Sequence, residues 1–328
     1  MPPPPLTLRL SCFVGTGLAL LLSWSSVPIW VDYGVFVGLI VLTGIPHGAT
    51  DHVIYRFLLP QQTEMRWGRF LGVYLGAMLG YGICWAVFPD FSLLFFLLIS
   101  AYHFGQSQLL YVRLTEGSFG KTALYLLWGG WLLGSLLLLQ GDTVAEVLSA
   151  MFPGWIWVFM LPQEIKLWMI AGLTVALMVG LVVVWRQNSL DFGHFLQEIA
   201  VLWLLLVLFS LSSLWISFGV YFGLWHACSS IGMQVRGFQQ EIPYSWPKFF
   251  REALPFSLVS FVGIALLLGL GQTLLLDQVS LPLLFFVAIS TLTLPHIVYM
   301  QRFYTYTTMS HRTVPSRSSG RFTNQTKN

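Results

Sequence analysis

Apolar runs start near Leu10, Tyr33, Arg69, Phe91, Thr122, Ile165, Glu198, Ser213, Ala253 and Leu281, each close to the ~20 residues a helix needs to cross a hydrocarbon core about 30 Å thick. They follow one another so closely that little chain is left for a water-facing surface. Only 9% of the residues are charged, against roughly a quarter in an ordinary soluble protein. A water-soluble globule is excluded. The fold class expected is all-α, a polytopic transmembrane helical bundle of about nine to ten helices. Residues 1–305 form its single transmembrane domain, and residues 306–328 read as a polar, disordered tail rich in Ser, Thr and Arg.

Three stretches need a decision. Leu196 to Ile231 is long for one span and short for two, and the Ser212-Ser213 pair marks a turn that makes it two. Val144 to Met160 is apolar but broken by Pro153-Gly154, which fits a re-entrant or interfacial piece. Arg9 followed by an apolar run resembles a signal peptide, yet Ser23 to Trp30 offers no small-x-small cleavage site, so this run is read as the first helix. Cys12, Cys84 and Cys228 lie far apart in apolar runs, a pattern that suits neither a disulfide framework nor a zinc knuckle.

Lys and Arg concentrate in cytoplasmic connections. With ten spans, one set of connections carries Arg9, Arg56, Arg66, Arg69, Arg113, Lys121, Arg186, Arg236, Lys248, Arg251 and the Arg-rich tail. The other carries Asp32, Asp90, Asp142, Glu146, Glu164 and Asp277, with Lys166 its single base. Both termini are therefore expected in the cytoplasm, with the bundle in the cell (inner or plasma) membrane. The net charge is +3 and the basic residues stand singly, so no nucleic-acid partner is expected.

Ionisable groups inside a bilayer are costly and by default mark function. Here they are nearly all histidines. His47, His103, His226 and His296 fall on predicted helices 2, 4, 8 and 10, each in the cytoplasmic half, a levelling that the charge-based topology did not build in. Four imidazoles at one depth are expected to converge in the bundle interior. A site of histidines with few carboxylates suits iron or copper better than magnesium or calcium. Against this stands the plainer reading that any one of them bonds a neighbouring helix. His52 and His194, the latter beside Asp191, read as interface residues, and His311 belongs to the tail.

In Gly44-Ile45-Pro46-His47-Gly48-Ala49-Thr50-Asp51-His52 the proline and small residues allow a broken helix or a close backbone approach at His47. If that segment is helical, Asp51 lies one turn on, on the face of His47, placed to orient a ligating imidazole.

Pro46 to His52, Tyr102-His103-Phe104-Gly105, Tyr221-Phe222 with Trp225-His226, and Pro295-His296 resemble, in order and spacing over most of the chain, the Brp/Blh family of membrane-bound β-carotene 15,15'-dioxygenases. The resemblance implies a polytopic prokaryotic enzyme that uses non-haem Fe(II) and O2 to cleave β-carotene centrally into two retinals for a rhodopsin. Its iron histidines correspond here to His47, His103 and His226. Two positions depart from the pattern: Ser230 stands where the family has a histidine four residues after the one matching His226, and Gln106-Ser107-Gln108 stands where an acidic residue often follows His-Phe-Gly. Either His296 completes the site, or water fills the place, or the chain acts on another carotenoid or has lost activity. A three-histidine site with His296 nearby is the arrangement expected first.

An apolar rod about as long as the hydrocarbon core is thick would enter sideways from the bilayer, so no aqueous cleft is needed. Tyr102, Phe104, Tyr221, Phe222 and Trp225 are the expected lining of its tunnel. The leading alternative is a transporter or proton relay, which calls for acidic partners along a path, and Asp51 is the convincing one. A haem protein is the other.

Overall fold

The computed structural model describes residues 6–25, 28–59, 66–149, 151–152, 154–274 and 281–313. In chain order its helices are α1 (Leu6–Trp24), α2 (Ile29–Leu39), α3 (Ile45–Gly48), α4 (Asp51–Phe57), α5 (Trp67–Val87), α6 (Pro89–Leu109), α7 (Phe119–Leu139), α8 (Gly141–Leu148), α9 (Ile156–Phe159), α10 (Gln163–Arg186), α11 (Phe192–Leu211), α12 (Leu214–Val220), α13 (Cys228–Gln239), α14 (Trp246–Leu274) and α15 (Leu281–Thr313). Two π-helices interrupt this series: π1 (Ile40–Gly44) joins α2 to α3, and π2 (Tyr221–Ala227) joins α12 to α13. Among the described residues no strand occurs.

Among the described residues, eight segments are long and apolar enough to cross a bilayer: Leu6–Trp24, Ile29–Phe57, Trp67–Val87, Phe119–Leu139, Gln163–Arg186, Phe192–Leu211, Trp246–Gly271 and Leu281–Thr308. The chain is an all-α, multi-pass membrane protein. Two further helical stretches have comparable length, α6 and the unbroken Leu214–Gln239, but are less apolar. Both carry a histidine of interest and a polar second half. In α6 it holds Gln106, Ser107 and Gln108, and in α13 Ser229, Ser230, Gln234 and Arg236. With these two, the long helices coincide with the ten apolar runs. Lipid-facing residues such as Val14, Leu18, Leu79, Val175 and Val262 are more than half exposed, as hydrocarbon solvent permits.

The turn expected at Ser212-Ser213 is present. Ser212 is extended at the end of α11, and the Ser213 side chain accepts from Ile216 N at 3.3 Å to cap α12. Among the described residues of 141–159 the helices are the short α8 and α9, which bury Val144, Leu148 and Phe159, with Phe152 buried between them; Pro153, the expected break, lies outside the described residues. The boundary read at Tyr306 falls inside α15, which runs to Thr313; Tyr306 donates to Glu241 at 2.8 Å and Thr307 is buried. Residues 314–328 lie outside the description. The first apolar run is part of the bundle, with Trp225 Nε1 donating to Thr16 Oγ1 at 2.9 Å and Cys12 Sγ to the Leu224 carbonyl at 3.2 Å.

One seam sets the depth of the site. A Cβ added at Gly105 would lie 1.9 Å from the Tyr125 carbonyl oxygen, and one at Gly129 would lie 1.8 Å from that of Ala101. Helices α6 and α7 thus touch backbone to backbone, as small residues allow where lipid supplies no hydrophobic drive to associate. The two π-helices meet similarly: a Cβ at Gly44 would come within 2.7 Å of the Phe222 ring, and one at Gly223 within 2.8 Å of Leu39 Cβ.

Candidate metal centre

Each of the four histidines arrives on a segment whose backbone is irregular or tightly held. His47 sits in the single turn α3, between π1 and a break at Ala49-Thr50, so the helix is broken there as the proline and small residues led us to expect. Gln234 Nε2 donates to the His47 carbonyl at 3.1 Å, and Gln234 Oε1 accepts from Thr50 Oγ1 at 2.6 Å, which holds this break from across the bundle. His103 is placed by the α6–α7 seam. His226 lies within π2, and His296 follows Pro295, an in-helix proline that removes one backbone hydrogen bond from α15. Wide or interrupted helical turns of this kind recur at functional sites.

The four rings meet. Centroids of His47 and His296 are 4.4 Å apart, His47 and His226 5.0 Å, His103 and His226 5.0 Å, and His103 and His296 5.7 Å. Ligand nitrogens of His47, His103 and His296 all lie within 4.8 Å of one another, with His226 packed edge-on against this set. All four are at most 5% exposed. His47 Nδ1, both nitrogens of His103 and of His226, and His296 Nε2 are buried with no hydrogen-bond partner. Buried polar atoms are rarely left so. Rings that converge in this way, each with at least one orphaned nitrogen, fit the requirement of a first-row transition metal.

Asp51 does orient an imidazole, though of a different helix from the one its spacing suggested. Its Oδ1 pairs with His296 Nδ1 at 2.8 Å, and its Oδ2 accepts from the Tyr74 hydroxyl at 3.0 Å. Asp51 and His47 both face His296, whose ring centroid lies 4.4 Å from that of His47. With Nδ1 bound to the carboxylate, His296 presents Nε2 to the cluster. His52 points elsewhere, stacked on Phe256 at 4.4 Å and on Trp67 at 5.9 Å. His194 pairs with Asp191 at 3.6 Å and packs on Tyr111.

Of the expected lining residues, two meet a site histidine and a third packs behind one of them. Phe104 lies 4.8 Å from His226, Phe222 5.5 Å from it, and Tyr221 5.4 Å from Phe104. Tyr102 and Trp225 turn away, toward Tyr125 on α7 and Phe13 on α1.

Sequence reasoning passed over Tyr74, Gln234 and, above all, Glu198. The Glu198 carboxylate is 2% exposed and accepts from Gln108 Nε2 at 3.0 and 3.1 Å, the Tyr111 hydroxyl at 2.6 Å and Trp128 Nε1 at 3.3 Å. An intramembrane carboxylate besides Asp51 therefore exists, and its partner is Gln108, one of the amides standing where an acidic side chain was expected. Glu198→Ala is expected to lower the thermal midpoint of the detergent-solubilised protein markedly, since it leaves buried donors worth about 1–3 kcal/mol each without an acceptor. Glu198→Gln, which keeps one acceptor oxygen, falls less. Equal melting of the alanine variant and the unaltered protein would contradict this role.

Fold and site together define a multi-pass helical membrane protein with a buried histidine cluster able to hold a metal ion. The profile of the family described as beta-carotene 15,15'-dioxygenase matches residues 38–304, and the chain belongs to that family. A relative named beta-carotene 15,15'-dioxygenase, from uncultured marine bacterium 66A03, is 37% identical over 73 residues, which are 22% of this chain and 26% of the relative. The chain thus aligns with about a quarter of that curated relative's length. No solved structure matches.

Proposed function

We propose that the chain cleaves β-carotene, or a related carotenoid, at its central double bond with O2, giving retinal, at a non-haem Fe(II) held by His47, His103, His226 and His296. The observation that carries this reading is the set of orphaned, buried imidazole nitrogens brought together from four membrane-embedded segments in a chain of this family. Bound there, Fe(II) would supply the activation of dioxygen. The carbon–carbon double bond breaks and each carbon takes one oxygen atom of O2, so two aldehydes form with no outside reductant.

The chain's own residues do the rest. Asp51, steadied by Tyr74, holds the His296 ring in one tautomer. Phe104, Tyr221 and Phe222 give the polyene an apolar surface against His226, and the surrounding core excludes water from the reacting bond. Substrate enters from the bilayer, and retinal leaves to it or to a rhodopsin. The distribution of Lys and Arg supports insertion in the cell membrane with both termini in the cytoplasm. A proton relay is less well supported, because a relay strings its histidines on hydrogen bonds, whereas His103 and His226 have none.

Expression in a bacterium that accumulates β-carotene tests the reading. The expected result is loss of orange colour with retinal recovered from the membranes. Unchanged colour beside well-expressed, iron-loaded protein would overturn it. An absorbance scan separates it from a haem protein, which would show an intense Soret band.

A further inference from the structure

The proposed reaction leaves unused a second polar layer beside the histidines. Ser107 follows His103 by four residues and Ser230 follows His226 by four, one helical turn along the same faces, while Tyr304 follows His296 by eight, two turns along its own. The three hydroxyls meet: Ser107 Oγ lies 3.2 Å from Ser230 Oγ, which lies 3.2 Å from the Tyr304 hydroxyl. Ser230 and Tyr304 are wholly buried and Ser107 nearly so. Helices α6, α13 and α15 are therefore tied together just beyond the histidine carried by each of α6, π2 and α15.

The Tyr304 ring lies within 20° of parallel to the His103 imidazole, with centroids 6.5 Å apart. This matters because the rings are held by different means. His296 is fixed by Asp51, whereas His103 has no hydrogen-bond partner at either nitrogen and depends on packing for its tilt. A phenylalanine would fill the same volume as Tyr304 without bringing a hydroxyl that must be satisfied in an apolar interior. Ser230 satisfies it directly, and Ser107 bonds Ser230 in turn.

We propose that Tyr304, anchored through its hydroxyl by Ser230 and Ser107, is a positioning residue that sets the tilt of the His103 imidazole at the metal centre. The inference rests on the metal-binding reading of the histidine cluster.

The test uses the full-length protein in lipid nanodiscs with Co(II) as the probe, reading its visible absorption bands and its dissociation constant. Tyr304→Phe is expected to shift the bands and weaken binding about ten-fold, the lower end of the effect of outer residues that orient metal ligands. The Ser107→Ala/Ser230→Ala double variant, which removes the anchors and keeps the ring, should reproduce the shift, and serves if Tyr304→Phe does not fold. Tyr81→Phe breaks a remote buried hydrogen bond to the Ser92 carbonyl and should leave the bands in place. Tyr304→Phe and the serine double variant both matching the unaltered protein would overturn the assignment, as would an equal shift in Tyr81→Phe. If the unaltered protein binds no Co(II), the metal centre itself fails, and the positioning role with it.

Discussion

Gly105→Ala is expected to abolish accumulation of folded protein. Its methyl group would sit 1.9 Å from the Tyr125 carbonyl oxygen, where carbon–oxygen contacts ordinarily close no nearer than about 3.3 Å. The obstacle is backbone, so no rotamer change relieves it. Relief requires α6 and α7 to part by more than an ångström along a seam that also holds Gly129 against Ala101. Ordinary overpacking costs about 1–3 kcal/mol; parting two helices along their seam exceeds that, and it displaces His103 from the other histidines. Gly130→Ala is the matched control, because a Cβ there meets nothing within 4 Å and improves helix propensity. Size-exclusion profiles of fluorescently tagged variants report the outcome. A monodisperse Gly105→Ala peak of normal height would show that the seam is looser than described.

The second large effect falls on chemistry rather than folding. His47→Ala removes the ring that lies 4.4 Å from His296 and 5.0 Å from His226. The backbone at this point is held independently, through the Gln234 bond to the residue 47 carbonyl, so the truncation leaves its frame standing. Iron content and retinal formation are expected to fall by at least about 100-fold, beyond the range for residues that only orient ligands, while the melting midpoint changes little. Metal analysis beside chromatography of the products measures both. Stoichiometric iron with full turnover would remove His47 from the ligand set.

How far the sequence could be read depended on the range of the interaction. Spans were legible because hydropathy is a local property, and long apolar runs coincide with long helices from α1 to α15. The gathering of the histidines was legible because topology alone put four imidazoles at one level. Partnerships between distant residues were not. Asp51 and His296 are 245 positions apart, and the packing of α15 against α4 is what brings them together. Glu198 hid for a related reason: its donors come from α6, the loop after it and α7, so nothing near it in the chain marks it as paired. Tyr102 and Trp225 stand next to site histidines in the chain yet pack on Tyr125 and Phe13, because a side chain's partner is set by the helix it faces rather than by its neighbour in sequence.

The two wide-turn segments π1 and π2 carry a consequence for how this chain can change over time. A π-turn holds one residue more than the α-turn it replaces, so it absorbs an extra residue while the helix beyond it keeps its phase. Loss of one residue within Ile40–Gly44 would let the stretch relax to a regular turn with His47 still facing its companions, whereas loss of one residue from a regular turn swings everything beyond it by about 100°. These two short stretches are therefore where the helices can shorten by one residue at least cost to the histidines.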